Sequence, residues 1–463
     1  MSDPVPTPPA TAATDAVAVL GLDLRGDEPA PRTQVFSWAL WDWGTQPFNT
    51  VILTFIFTAL YLVTDAFLDP SVAALADDDP VKESAIAGLT SGLGIGTTIA
   101  GIAILLLAPV LGQQADAAGK QKLWLGIGTY GLIAAMLGLW FVTPSTTLFW
   151  LGVALVAAGT VLSEIAGVNY NAMLIGISNR KNVGRISGLG WGFGYLGGIV
   201  ALVLVVVFYA MNWFGLSEDG GLPFRIIAVG CAVWSLLFTI PIFRNVPEPS
   251  LGRPERKVGF LQSYVLLVRD IASLFRNPET RHTGWFLLSS AVFRDGLAGV
   301  FTFGAVIGRV VFGFGFLDIV VFGIAANLVA GVSTILAGRL DDRFGPKKLI
   351  LTALVSMSIA GLCVFFFADG GKIVFWVFGL LLCAFVGPSQ SASRSFLARV
   401  TPAGREGEIF GLYATTGRAT SWMSSLAWTV LVASTHSTTF GVLGIVLVLI
   451  LGFCLLLPVR AAV

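Results

Sequence analysis

Three carboxylates stand inside stretches of sequence otherwise built from apolar residues: Asp42 in WALWDWGTQPFNT, Glu164 in VAAGTVLSEIAG, and Asp295 in AVFRDGLAG. Two arginines, Arg294 and Arg418, are placed in the same way. An ionisable group in an apolar helix is costly to hold, so such residues tend to mark a solute or ion pathway. Asp42, Gln46 and Asn49 follow one another at i, i+4 and i+7 and share one helical face, with Pro47 between them to weaken the helix. Thr160, Glu164 and Asn171 form a similar stripe, as do Asp295 with Thr302 and Gln390 with Arg394. A carboxylate without a basic partner could carry a proton or receive a substrate amine. An arginine could meet a substrate carboxylate, and the amides supply hydrogen bonds. The competing reading is that each acid is structural, paired with an arginine or with a helix end.

The elements that hold these residues are membrane helices. Of 463 residues 55% are hydrophobic and 12% charged, and the mean hydropathy is +0.83. A soluble domain carries about 25% charged residues. A hydrocarbon core of ~30 Å takes about 20 residues of helix. Suitable stretches occur near 35–63, 85–111, 121–142, 147–175, 186–211, 222–243, 284–308, 316–337, 347–368, 371–398, 409–432 and 437–458. An all-α membrane protein of twelve spans in two six-helix bundles is expected, over 33–243 and 284–463. Residues 1–32, rich in Pro, Ala, Thr and Asp, read as a disordered cytoplasmic tail. Residues 244–283 read as a cytoplasmic linker, in which GFLQSYVLLVRDIASLF (259–275) suggests an interfacial amphipathic helix.

The two halves echo each other. Two eleven-residue segments, GQQADAAGKQK from Gly112 and GRLDDRFGPKK from Gly338, read as loops flanked by apolar stretches, and in them Gly112, Asp116, Gly119 and Lys120 align with Gly338, Asp342, Gly345 and a second basic stretch. A second echo aligns LIGISNRKNVGRISGL from Leu174 with LARVTPAGREGEIFGL from Leu397. Duplication in so apolar a chain points to a transporter built from repeats. The polar stripes fall in the first, fourth, seventh and tenth spans, whose equivalence would gather them around one central cavity.

Orientation follows from the basic residues. With the N-terminus inside, all but six of the 28 lysines and arginines face the cytoplasm; Lys82, Arg225, Arg309 and Lys372 fall outside, and Arg294 and Arg418 within spans. Both termini are thus expected in the cytoplasm, with Asp65, Asp69, Asp77, Asp78, Asp79 and Glu83 in a solvated external loop. A net charge of +1 gives no reason to expect a nucleic-acid partner. The cysteines all sit in apolar stretches, and His282 and His436 lack partners at ligand spacing, so no metal or cofactor is expected. GLGWGFGYLGG contains a formal G-x-G-x-x-G, but without a preceding strand its Gly190, Gly194 and Gly198 read as a helix-packing face.

The doubled G-x-x-x-D-x-x-G-K-x-K pattern and twelve spans resemble the major facilitator superfamily, over residues 33–458. The resemblance implies that Asp116 and Asp342 cap neighbouring helices and hold the cytoplasmic side closed. Arg343 follows Asp342 as is usual in that family, whereas Ala117 follows Asp116, which implies a weaker first latch. WALWDWGTQPFNTVILTFIFTALY, Asn169–Leu174, GLGWGFGYLGG, Asp295–Gly296 and QSASR leading to REGEIFGLY are similar to the autophagy-related vacuole effluxer-like branch, which has many bacterial members. That branch implies amino-acid-like substrates. Trp41, Gln46 and Thr58 depart from its usual Tyr, Ser and Pro. The Gly-Pro pair typical of antiporters is replaced by Phe193 and Gly194.

The expected function is alternating-access secondary transport of a small polar solute, an amino acid or similar, with protons as a candidate coupling ion. The protein would act as a monomer in a bacterial cell membrane. Multidrug or lipophilic-cation efflux is the alternative within this class, and a non-transporting sensor or lipid-handling scaffold the alternative outside it. No nucleophile and base constellation suggests an enzyme.

Overall fold

A computed structural model describes residues 20–25, 28–76, 79–211, 219–248, scattered positions between 262 and 276, and 281–460. Asp77, Asp78 and most of the expected interfacial helix at 259–275 lie outside the described residues.

The main helices of the first half are α1 (Arg32–Pro47), α2 (Pro80–Ala118), α3 (Gln121–Gly138), α4 (Thr146–Ile177), α5 (Val183–Ala210) and α6 (Leu222–Asn245). Those of the second are α7 (Arg281–Val310), α8 (Phe316–Phe344), α9 (Pro346–Phe366), α10 (Lys372–Val400), α11 (Glu406–Thr420), α12 (Met423–Thr435) and α13 (Thr438–Leu456). Among the described residues, 11 helices are long and apolar enough to cross a membrane. Large apolar side chains remain exposed on the outside of the assembly, including Ile99, Leu237, Phe366 and Ile373. That surface suits lipid, since every helix satisfies its own backbone.

Two spans are interrupted. After Pro47 the chain winds as a π-helix over Phe48–Phe55 and again over Thr58–Leu62, with Ile56 N donating to Val51 O and Val63 N to Thr58 O. Proline removes one donor and crowds the preceding turn, and the wider winding absorbs the misfit. The 409–432 stretch, expected as a single span, is divided into α11 and α12 at Ser421 and Trp422.

Two expectations need correction. Gly112–Ala118 and Gly338–Phe344 are not loop but the last turns of α2 and α8. The helices stop one residue later, where Gly119 and Gly345 take φ of +60° and +87°, values a side chain would resist. Nor is the tail wholly without structure: Gly21–Arg25 form a 3-10 turn with Leu22 fully buried, because Leu22 finds an apolar hole between helix ends.

The two halves meet mainly through α5 against α8 and α2 against α11. Each of these pairs brings one of the repeated Gly–Asp segments against a helix from the second echo.

Candidate functional site

The four echoed segments meet in two matching latches. At the first, Asp116 Oδ1 accepts the N–H of Gly407 and Oδ2 that of Glu408, each at 2.9 Å, while Gln121 Nε2 donates to Oδ1 at 2.8 Å. At the second, Asp342 Oδ1 and Oδ2 accept from Gly184 N at 2.7 Å and Arg185 N at 3.0 Å. Both pairs of N–H groups belong to the second and third residues of a helix, α11 or α5, where no intrahelical acceptor exists. A carboxylate from the other half supplies the cap and favours the positive helix end. Glycine is required where the backbones touch: a Cβ at Gly112 would lie 2.1 Å from Gly407 O, and one at Gly338 would lie 2.8 Å from Gly184 O. Arg343 reaches over the Phe344 ring, 5.2 Å from its centroid, and the base beside Asp342 is Arg399, which also pairs with buried Asp341 at 3.2 Å.

Further into the bundle lies the principal polar cluster. Arg394 on α10 is buried, 3% exposed, and crosses into the first half. Its Nε donates to Ser187 Oγ at 3.0 Å, Nη2 to Ser187 O at 2.6 Å and Nη1 to Asn171 Oδ1 at 3.0 Å. The guanidinium lies 5.0 Å from the Trp38 ring centroid and 5.7 Å from those of Tyr170 and Trp191, so its charge is also balanced by aromatic faces. Tyr170 is stacked between Trp38 and Trp41 at 4.4 and 4.3 Å, and the two indoles are fixed by hydrogen bonds to Tyr170 O and Thr129 Oγ1. Gln390, one turn before Arg394, accepts from Tyr195 Oη at 2.9 Å.

Asp42 belongs to this cluster. It projects from α1 onto α5 where Gly194 leaves room, since a Cβ there would stand 3.1 Å from the Asp42 carboxyl carbon. Arg394 is its electrostatic neighbour, and no described residue donates a hydrogen bond to its carboxylate. The glycine face of α5 therefore does pack closely, as expected, and what it admits is the charged residue of α1. Gln46 lies against Gly198 on the same face, while Asn49 sits at the π-helical turn, its carbonyl accepting from Thr54 Oγ1.

The remaining sequence candidates are placed elsewhere. Glu164 on α4 pairs with Arg418 on α11 at 3.1 Å, an ion pair between the halves. Asp295 is a helix cap: its Oδ2 accepts from Ser424 N at 2.6 Å, at the start of α12. Beside it, Arg294 donates to Tyr413 O at 2.9 Å and lies 3.7 Å over the Tyr413 ring. Asp295 and Asp42 thus occupy equivalent places in sequence but different chemical settings. Sequence reasoning passed over Trp38, Tyr170, Ser187, Trp191 and Tyr195. The first precedes Asp42 by one turn and the last three are interleaved with the glycines, a spacing that places them at the same contact.

The profile of the family described as "Vacuole effluxer Atg22 like" matches residues 30–462. The chain belongs to that family. An uncharacterized MFS-type transporter of Bacillus subtilis, YxiO, is 25% identical over 427 residues, covering 91% of this chain and 93% of the relative. Autophagy-related protein 22 of Cryptococcus neoformans is 25% identical over 287 residues, covering 58% of this chain and 48% of its own length. Among solved structures, a bacterial homologue of the iron transporter ferroportin in an outward-facing state superposes with a TM-score of 0.64 at 16% identity, covering 92% of this chain and 98% of that one. The proton:xylose symporter XylE superposes with a TM-score of 0.62 at 13% identity, over 91% and 93%. The fold is that of the major facilitator superfamily. The chain is a multi-pass membrane transporter of this class, and its role is transport, not catalysis.

Proposed function

We propose that the chain moves a small zwitterionic solute, an amino acid or a close relative, through a site made by Asp42, Asn171, Gln390 and Arg394. The observation that carries this is the placement of Asp42, without a hydrogen-bond donor, beside a buried arginine whose donors are only partly used. A guanidinium has five N–H donors, and three hydrogen bonds of Arg394 go to Asn171 and Ser187. The remaining donors suit a carboxylate, for which arginine is the favoured partner, and Asp42 suits an ammonium group. Ser187 and Asn171 hold the arginine in place and Tyr195 holds Gln390, while Gln46 and Asn49 would contribute further hydrogen bonds from the first span.

On this reading α11 and α12 together form the eleventh of twelve spans, the halves are two six-helix bundles, and the protein works as a monomer in a bacterial cell membrane. The distribution of basic residues supports a cytoplasmic location for the latched end and both termini. The structure is then closed on the inside, and transport requires both aspartate caps to release while Glu164 and Arg418 rearrange. Proton coupling would act through Asp42, which could take up a proton when the solute amine leaves.

Uptake of radiolabelled amino acids into proteoliposomes tests the assignment, with Asp42→Asn and Arg394→Lys as variants. Each should lose most substrate-dependent flux. Native flux in both variants, or a thermal shift only with lipophilic cations, would sink the reading.

A further inference from the structure

Beyond the two aspartate latches, a third contact spans the halves at the same end of the molecule, and it comes from the segment before α1. Leu20 forms an isolated bridge with Pro402, and Gly21 N donates to Thr401 O at 3.1 Å, so the segment is pinned to the end of α10 in the second half. Asp23 meets Arg180, just beyond α4 in the first half, with Oδ1 receiving Nε at 2.5 Å and Oδ2 receiving Nη2 at 3.1 Å. Between these anchors Leu22 is 1% exposed within the main apolar core, which also contains Ile175, Ile177 and Leu397. At Gly21 a Cβ would stand 2.8 Å from Ile175 Cγ2 and 3.0 Å from Glu406 Oε1, one atom from each half.

We propose that residues 20–25 form a strap that holds the latched end closed, and that their release is part of opening that end. Alternating access separates α4 from α10 there, and a segment fastened to both cannot remain fastened to both. Undocking would expose Leu22 and break the Asp23–Arg180 pair, so the strap favours the closed arrangement by the strength of those contacts. A change that lifts it, by substitution or by a partner that takes up the segment, would shift the resting population towards the arrangement open at this end.

The test uses the full-length protein in lipid nanodiscs, in a background with the four native cysteines replaced. Spin labels at Leu123→Cys and Lys348→Cys, both exposed at the latched end in opposite halves, report its opening by electron–electron distance measurement. Leu22→Asp should raise the longer-distance population by at least about tenfold, since it would bury a charge. Asp23→Arg, a change on the surface, should raise it about two- to fivefold, as expected for an exposed ion pair. Combining Asp23→Arg with Arg180→Asp should return the distribution to native. Distributions that stay native in both single variants overturn the proposal, as does a shift in Asp23→Arg that the charge swap fails to reverse.

Discussion

Asp116 and Glu408, 292 residues apart in sequence, are joined by a hydrogen bond of 2.9 Å between a carboxylate oxygen and a backbone nitrogen. The same relationship recurs between Asp342 and Arg185 at 3.0 Å. In both cases the acceptor lies near the end of a long helix of one half and the donor in the first turn of a helix of the other. The two latches are therefore equivalent in backbone geometry.

That equivalence fixes the first prediction. The family resemblance ranks Asp342 above Asp116, because the usual arginine follows it as Arg343 where Ala117 follows the other. In the structure Arg343 lies over Phe344, and each aspartate caps two N–H groups of the opposite half. Removing either cap should cost the closed state about 0.5–2 kcal/mol, roughly a two- to thirtyfold shift in population. Asp116→Ala and Asp342→Ala should accordingly open the latched end to similar extents when followed by spin-label distances. A much larger effect of Asp342→Ala would restore the ranking drawn from the resemblance.

The latches were legible because the chain performs the same task twice: Gly112 and Gly338 recur for close backbone approach, Asp116 and Asp342 for capping. Their partners, Gly184–Arg185 and Gly407–Glu408, were visible only as a second echo, since a backbone N–H leaves no mark on residue type. The polar cluster was half legible. Asp42, Asn171, Gln390 and Arg394 stand out as polar residues in apolar helices, whereas Trp38 and Tyr170 look like ordinary core. The strap was hidden for a different reason: Leu22 ends a short apolar run, AVAVLGL, between proline-rich stretches, too short to read as a span and without the periodicity of a packed helix.

Arg394 offers the next prediction. Its charge is spread over a planar fork that bonds Ser187 and Asn171 while lying near three aromatic rings. Lysine keeps the charge but loses the fork and the aromatic contact, so the replacement is not conservative. Hydrogen bonds to charged groups contribute about 1.5–3 kcal/mol each, and loss of even one should cut flux by about tenfold or more. Arg394→Lys should therefore fall at least that far in proteoliposome uptake while reaching the membrane at native levels. Asn171→Ala, which removes one bond to the arginine, should fall less than Arg394→Lys. The opposite order would place the arginine's role in packing.

The strap carries a pH prediction. The hydrogen bonds from Arg180 hold the Asp23 carboxyl below its usual value of 3.8. A carboxyl with a depressed folded-state value stabilises docking above the value of the free group, and that stabilisation is lost as pH falls through the docked value. Strap docking should then be constant from pH 5 to 8 and weaken only below about pH 4. Distances between labels on Asn182→Cys, beside Arg180, and a position at the strap would be flat over the upper range. A transition near pH 6 would show that some other group controls the segment.

Asp295 differs in setting from Asp42, the acid of the proposed solute site. Its sequence context resembles that of Asp42, which is why the two were expected to share a role, but its Oδ2 accepts the N–H of Ser424 at the start of α12. What the sequence could not show is the break at Ser421–Trp422 that creates this unpaired donor inside the bundle. An amide oxygen can accept the same bond, so Asp295→Asn should retain near-native transport and thermal stability. Asp295→Ala leaves a buried N–H without an acceptor, at a cost of about 1–3 kcal/mol, and should lower Tm by about 1–3 °C. The matching pair at Asp42 should behave in the reverse manner, with Asp42→Asn losing transport and little stability, because no described residue donates to that carboxylate. If Asp295→Asn instead abolished flux in a protein of unchanged Tm, the carboxylate would be needed for its charge or its proton, and the cap would be secondary to a place on the solute pathway.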